Sequence, residues 1–135
     1  MINKIFVNLP VQDLKRSMSF FSDLGFTLNK QFTDENAACL VISDEIYAML
    51  LVRKFFKTFI KKEIADSAKS TEAILALMCE SRAEVDSILV KALAAGGREY
   101  REAEDHGWMY GRSFEDLDGH LWEVGYMDPA HVEPV

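Results

Sequence analysis

The chain has no apolar run long enough to cross a bilayer. Runs such as "YAMLLV", from Tyr47 to Val52, fall far short of the roughly 20 residues a membrane helix needs. Positive charge is in deficit: 15 Lys and Arg stand against 22 Asp and Glu, a formal net charge of −7. That balance excludes a phosphate backbone as the natural partner, because nucleic-acid binding needs a cationic surface. There are only two cysteines, Cys39 and Cys79, both inside apolar strand-like runs and without metal-ligand or redox spacing. They read as small reduced core residues of a cytoplasmic protein. The start, "MINKIFVNLPV", enters a strand pattern directly and lacks the layout of a signal peptide. No glycine-rich phosphate loop is present. Ser113 has no His–Asp arrangement to activate it as a nucleophile.

What is present is the composition of one globular domain. At 135 residues, 49% hydrophobic and 27% charged, the chain can bury roughly two thirds of its unfolded surface. "IFVNLPV" (Ile5 to Val11) is β-branched and aromatic and predicts a strand. Asp13 is placed to cap a helix on which Leu14, Met18, Phe21 and Leu24 keep helical spacing, and Gly25 ends it. "AACLVIS", the pair Asp44-Glu45 and "IYAMLLV" predict two antiparallel strands around a tight turn.

The pattern then repeats. "AILALMC" (Ala73 to Cys79) predicts a strand, and Ser81 caps a helix carrying Val85, Ile88, Leu89 and Leu93. Gly96-Gly97 stop that helix, and "WMYGRSF", a turn at Asp116 to Gly119 and "HLWEVGYM" complete another hairpin. The two copies match at an offset that grows by about one helical turn across the second helix. The repeat divides the chain into unit one at 2–52, a connecting segment at 53–71, unit two at 72–128 and a tail at 129–135. The connecting segment sets five basic residues among Phe55, Phe56, Phe59 and Ile60. It suits a short helix covering an open sheet edge, or an amphipathic lid or dimer contact, with a membrane-surface contact third. The tail, with Pro129 and Pro134, has the composition of a poorly ordered end.

"NLPVQDLKRSMSFFSDLGF", the duplicated strand–helix–strands unit and "FEDLDGHLWEV" together resemble the vicinal oxygen chelate superfamily. That group includes glyoxalase I, the bleomycin- and fosfomycin-resistance proteins and the extradiol dioxygenases. A close-looking subgroup is the set of small bacterial proteins described as predicted lactoylglutathione lyases. The resemblance spans residues 2 to 128, with Leu117 where proline is common. It implies an α+β fold of two βαβββ units forming curved mixed sheets around a cavity, a small-molecule ligand and a homodimer. In metal-dependent members the ligands come from the first and last strand of each unit. Those positions fall at Phe6, Met49, Ile74 and Glu123. Only Glu123 offers an oxygen donor, so no cofactor is expected, and a divalent metal would have Glu123 as its ligand.

Strand parity populates the cavity without the family. If the Asp116–Gly119 turn pairs Glu115 with His120, Arg112 stands across from Glu123. Trp108, Tyr110, Arg112 and Phe114 then share Glu123's face, and Met109, Ser113, His120, Trp122 and Val124 take the helix side. The same construction sets Leu40 opposite Met49. Phe6 and Asn8 point inward in one unit, and Ile74, Ala76 and Met78 in the other. Burying Glu123 requires a partner. Arg112 is the expected one, either as a structural salt bridge or as a fork offered to an anionic ligand while Glu123 moves a proton. His106, before the inward strand, is a second acid/base candidate, a non-standard metal ligand alongside Glu123, or a solvated loop residue. The expected pocket is Phe6, Met49, Ile74, Met78, Trp108, Tyr110 and Phe114 around Arg112, Glu123 and Asn8. Three functions fit: a metal-independent small-molecule-binding protein, a lactoylglutathione-lyase-type enzyme with non-standard ligands, and a ligand-free dimeric structural domain.

Overall fold

The computed structural model of the chain describes residues 1–131. Two compact units are distinct, Met1–Asp66 and the part from Ser67 onward. In the first unit, β1 (Ile5–Val11) leads into Asp13, whose Oδ1 accepts the Arg16 amide at 3.2 Å and caps α1 (Leu14–Asp23). The helix ends at Gly25, φ +103°, where the Phe26 amide returns to the Phe21 carbonyl and the Gly25 amide to Ser22. This left-handed cap satisfies the last carbonyls of the helix. β2 (Thr27–Asn29), a 3-10 turn, β3 (Ala37–Val41) and β4 (Ile46–Val52) complete a mixed sheet in the order β1-β4-β3-β2. β1 runs parallel to β4, and the other pairs are antiparallel. Phe20, Phe21, Leu24, Leu40, Ala48 and Leu50 form the buried heart of this unit. α2 (Arg53–Lys57) follows β4 directly and packs against β4 and the edge strand β1, the edge-covering arrangement.

The second unit repeats the plan. After β5 (Ile74–Met78), the Ser81 hydroxyl accepts the Glu84 amide at 3.1 Å and caps α3 (Arg82–Ala94). This helix has 13 residues against 10 in α1, the extra turn read from the repeat offset. β6 (Arg98–Glu99) and β7 (Glu104–Asp105) both pair with β8 (Met109–Glu115), which pairs with β9 (Leu121–Met127). β9 in turn runs parallel to β5. α3 buries Val85, Leu89 and Ala92 and packs on β8 and β9. There Phe114 and Trp122, cross-strand partners, lie with rings parallel at 6.4 Å. Burying side chains of this size contributes roughly 1.5–3 kcal/mol each. The fold class is therefore as expected, α+β: the first unit is βαβββ, and the second follows the same plan with two short strands, β6 and β7, both paired to β8 where the first has β2 on β3. No helix among the described residues is long and apolar enough to cross a membrane.

The register of the β8–β9 hairpin differs from the expectation by one residue. Glu115 pairs with Leu121, not His120, and Arg112 with Val124. The reason lies in the turn. A two-residue loop needs positive φ at a central residue, yet the glycine stands fourth, at Gly119, with φ +85°. The chain instead makes a turn closed by the Gly119 amide on the Asp116 carbonyl, and the Asp116 amide then meets the His120 carbonyl at 3.1 Å. The buried Asp116 side chain locks this turn, accepting from the Asp118 amide, the His120 amide and the Trp122 indole at 2.9–3.0 Å. A one-residue slip inverts every face assignment on a strand. Tyr110, Arg112 and Phe114 therefore turn toward α3 with Trp122 and Val124, and Met109 and Ser113 turn to Glu123's face. In the first hairpin Met49 stands opposite Cys39, not Leu40.

The described part of the tail is also anchored, contrary to its composition. The Asp128 amide bonds the Trp108 carbonyl at 2.8 Å, and the His131 ring stacks on Trp108 at 4.5 Å. Pro134 lies outside the described residues.

Two substitutions test the turn. Asp116→Ala leaves the buried Trp122 indole N–H without its acceptor and lowers unfolding free energy by about 1–3 kcal/mol in urea titration. Gly119→Ala adds a Cβ 2.8 Å from the Ser67 carbonyl oxygen. It is expected to cost more than Gly25→Ala, which meets nothing within 4 Å and carries only the left-handed penalty of about 1–2 kcal/mol. Equal losses at the two glycines would show that Ser67 does not confine the turn.

Candidate functional site

Glu123 sits between buried Trp122 and Val124 on β9, but its own side chain is 34% exposed. Strand alternation turns it away from the α3 layer, beside Ala76 on β5 and Ser113 on β8. Its partner is Arg101, whose guanidinium reaches Glu123 at 3.3 Å and Glu104 at 3.1 Å. His106 Nε2 meets the other oxygen of Glu104 at 2.9 Å. Two carboxylates, a guanidinium and an imidazole thus share one face of the second sheet. Gly111, Gly125, Met78 and Met109 line the same recess, which encloses about 70 Å³. The charge pairs are solvent-exposed, so each contributes little to stability and is readily exchanged for a ligand contact.

Arg112 is engaged elsewhere. On the α3 side its Nη1 bonds Asp86 at 3.2 Å and its Nη2 bonds Glu99 at 2.8 Å. The Tyr110 hydroxyl donates to the same Asp86 oxygen, and the Arg82 guanidinium covers the Tyr110 ring at 4.4 Å. This network ties α3 to the sheet. It corrects the expectation that Tyr110 and Phe114 face Glu123 and that Arg112 pairs with it, although Arg112 does line the recess beside Glu123. Trp108 precedes β8 and packs on His131. Ile74 and Met78 do share Glu123's face, and both are more than half exposed. Phe6, Asn8 and Met49 belong to the first unit, where Phe6 stacks on Tyr47 at 4.6 Å and Asn8 pairs with Met49. Arg101, Glu104 and Ser113 were not singled out as site residues. Ser113 was misplaced by the register, for which the position of Gly119 was the available signal. Arg101 and Glu104 lie in "REYREAEDHG", which carries no periodicity to place them.

The sequence of residues 3–124 matches the Glyoxalase/Bleomycin resistance protein/Dioxygenase superfamily, and the chain belongs to that superfamily. Hypothetical protein SA1046 from S. aureus is 30% identical, with a TM-score of 0.78 over 93% of this chain and 95% of its own. A glyoxalase-related enzyme from Fulvimarina pelagi is 19% identical, with a TM-score of 0.79 over 93% and 88%. Fosfomycin resistance protein FosX from Mesorhizobium loti, 15% identical, gives 0.70 over 97% and 98%. No curated protein matches.

The superfamily's metal does not fit the residues present. The ladder sets Met49 beside Asn8 as it sets Glu123 beside Ala76, so the closing ligand of the first unit is a thioether. Phe6 and Ile74 offer no donor atom. Among the described residues no group of three or more His, Cys, Asp or Glu is placed to hold a metal ion. Glu123 already faces a cation, Arg101.

The Asp86 carboxyl is held below its ordinary value of 3.8, first by the Tyr110 hydroxyl and then by Arg112. Glu104 is lowered by His106 and Arg101, and Asp105 by the Gly107 amide and Arg82. These three bind protons less tightly when folded, so their stabilisation is full above the ordinary carboxylate range and lost as pH falls through the folded values. Asp116 runs the opposite way: burial raises its pKa, and its contribution fades as pH rises through that folded value. The share of the urea midpoint that these three carboxyls carry therefore falls on acidification. Asp86→Asn is expected to make that fall shallower. An unchanged slope would show that the Tyr110–Arg112 network does not depend on the Asp86 charge.

Burial, with Glu84 beside it, pushes the half-buried Cys79 thiol up to about 12. Near neutral pH this thiol is protonated and poorly nucleophilic. Both cysteines are expected to react with Ellman's reagent only on addition of denaturant, and prompt labelling of native protein by even one thiol would contradict that burial.

Proposed function

We propose that this chain is a small-molecule-binding member of its superfamily that works without the usual metal, using the recess around Glu123 and Arg101 on its second sheet. The supporting observation is the donor set. Three of the four expected ligand positions hold Phe6, Met49 and Ile74, and the fourth, Glu123, is neutralised by a guanidinium instead of an ion. Apolar walls with a few convergent polar groups are the usual form of a small-molecule site, and Met78 and Met109 beside Glu123, Glu104 and Arg101 have that form. His106 reaches this recess through Glu104, so the acid/base role expected of it is carried by the Glu104–His106 pair. A second copy of the chain is the proposed partner, because Ile5, Ile74 and Met78 are large apolar side chains left more than half exposed. The setting is a reducing cytoplasm.

Elemental mass spectrometry on protein purified without a histidine tag or chelator tests the metal-free reading. The expected content of nickel, zinc, manganese and iron is far below one ion per chain, before and after soaking. Near-stoichiometric metal that disappears in Glu123→Gln would overturn the proposal and make Glu123 a ligand.

A further inference from the structure

Two glycines stand opposite each other in the middle of the second sheet, Gly111 on β8 and Gly125 on β9. Met78 pairs with Gly125 on the outer side, and Glu104 pairs with Gly111. One row across the sheet therefore reads Met78, Gly125, Gly111, Glu104. The neighbouring row on the same face holds Ala76, Glu123 and Ser113. The two central positions are bare backbone, next to a carboxylate and bounded by methionines.

Nothing within the unit requires glycine at position 111. Its φ lies outside the left-handed region, and an added Cβ would meet only the Met109 sulfur at 3.8 Å and the Val124 oxygen at 3.9 Å, both ordinary contacts. At Gly125 a Cβ would meet the flexible end of Met78 at 3.2 Å. Glycine inside a strand weakens it, and at Gly111, where neither turn nor crowding explains it, close approach by a ligand or by another backbone does; at Gly125 the Met78 side chain supplies part of the reason. Ser113 adds an independent sign. It is 1% exposed, and its hydroxyl has no hydrogen-bond partner among the described residues. Native proteins rarely leave such a group unsatisfied. It lies directly across the ladder from Glu123, at the rim of the bare strip.

Building on the small-molecule reading above, we infer that the Gly111–Gly125 strip is the floor for a single flat aromatic ring, whose cationic hydrogen-bond-donating group is held by Glu123 and Ser113. A flat ring suits the partly exposed peptide plane of Gly111 and reaches that of Gly125, which is buried, by displacing the flexible end of Met78. The thioethers of Met78 and Met109 favour aromatic edges. A cation suits Glu123 and Glu104, and Arg101 can release Glu123 and retain Glu104. The recess of about 70 Å³ limits the seated part to one ring, with any remainder in solvent.

Benzamidine is the probe, since its planar cation can address both carboxylate oxygens. Benzoate reverses the charge, and cyclohexanecarboxamidine keeps the charge but removes the flat ring. Titrations followed by the backbone amide resonances of Gly111 and Gly125 are expected to show benzamidine binding at least tenfold tighter than either control. Gly111→Ala should weaken benzamidine at least tenfold while the thermal midpoint stays level or rises. Glu123→Gln should weaken it similarly and Ser113→Ala about threefold, each with the fold retained. Equal binding of the cyclohexyl analogue removes the flat-floor inference, and so does benzamidine binding that ignores Gly111→Ala. Benzoate binding in place of benzamidine overturns the charge assignment but leaves the small-molecule reading standing. Stoichiometric metal at Glu123 would overturn both.

Discussion

The side chain of Asp116 controls what the second sheet presents. Its two oxygens collect the Asp118 amide, the His120 amide and the Trp122 indole, three donors that would otherwise go unpaired in a buried corner. The carboxylate thereby holds a turn in which Gly119 is left-handed, and that turn decides which residues of β8 meet which residues of β9. Every side-chain face on the hairpin follows, because strand alternation has a period of two. Had Glu115 paired with His120, Arg112 would meet Glu123 and the polar pair would be self-contained. With Leu121 as Glu115's partner instead, Arg112 is drawn into the α3 layer and Glu123 is left to Arg101.

Two charge systems on opposite faces result, and they differ in kind. On the α3 side, Asp86, Tyr110, Arg112 and Glu99 link helix to sheet through consecutive hydrogen bonds. That arrangement joins secondary structures and leaves little for a ligand to use. On the other face, Arg101, Glu104, His106 and Glu123 are held by exposed ion pairs next to a strip of bare backbone. Such pairs stabilise weakly and can be exchanged at low cost, which suits them to recognition. Superfamily membership sets the scaffold without fixing the function; in our proposed reading the residues at the usual metal positions turn this chain toward organic ligands.

Much of the scaffold was legible from local signals. β1, the caps at Asp13 and Ser81, the glycine ends of both helices and the extra turn in α3 all follow from short-range chemistry: a hydroxyl or carboxylate before an apolar periodic run, and a glycine after it. The short strands β2, β6 and β7 were not legible from the residues themselves. Two or three residues carry no period, and pairing with a longer neighbour makes them strands. The tail illustrates the same limit, since its turn at Asp128 forms because the Trp108 backbone and ring receive it.

The sequence by itself determined the repeated strand–helix–strands plan, the absence of oxygen or nitrogen donors at three of four metal positions, and the acidic charge. These depend on residue identity and on spacings of a few residues. Only the tertiary structure decided that Glu123 belongs with Arg101, that Arg112 belongs with Asp86 and Glu99, and that Gly111 and Gly125 lie side by side. Each of these pairings joins different elements of the second unit. Their register hangs on one buried carboxylate, and a shift of a single residue there reverses the outcome.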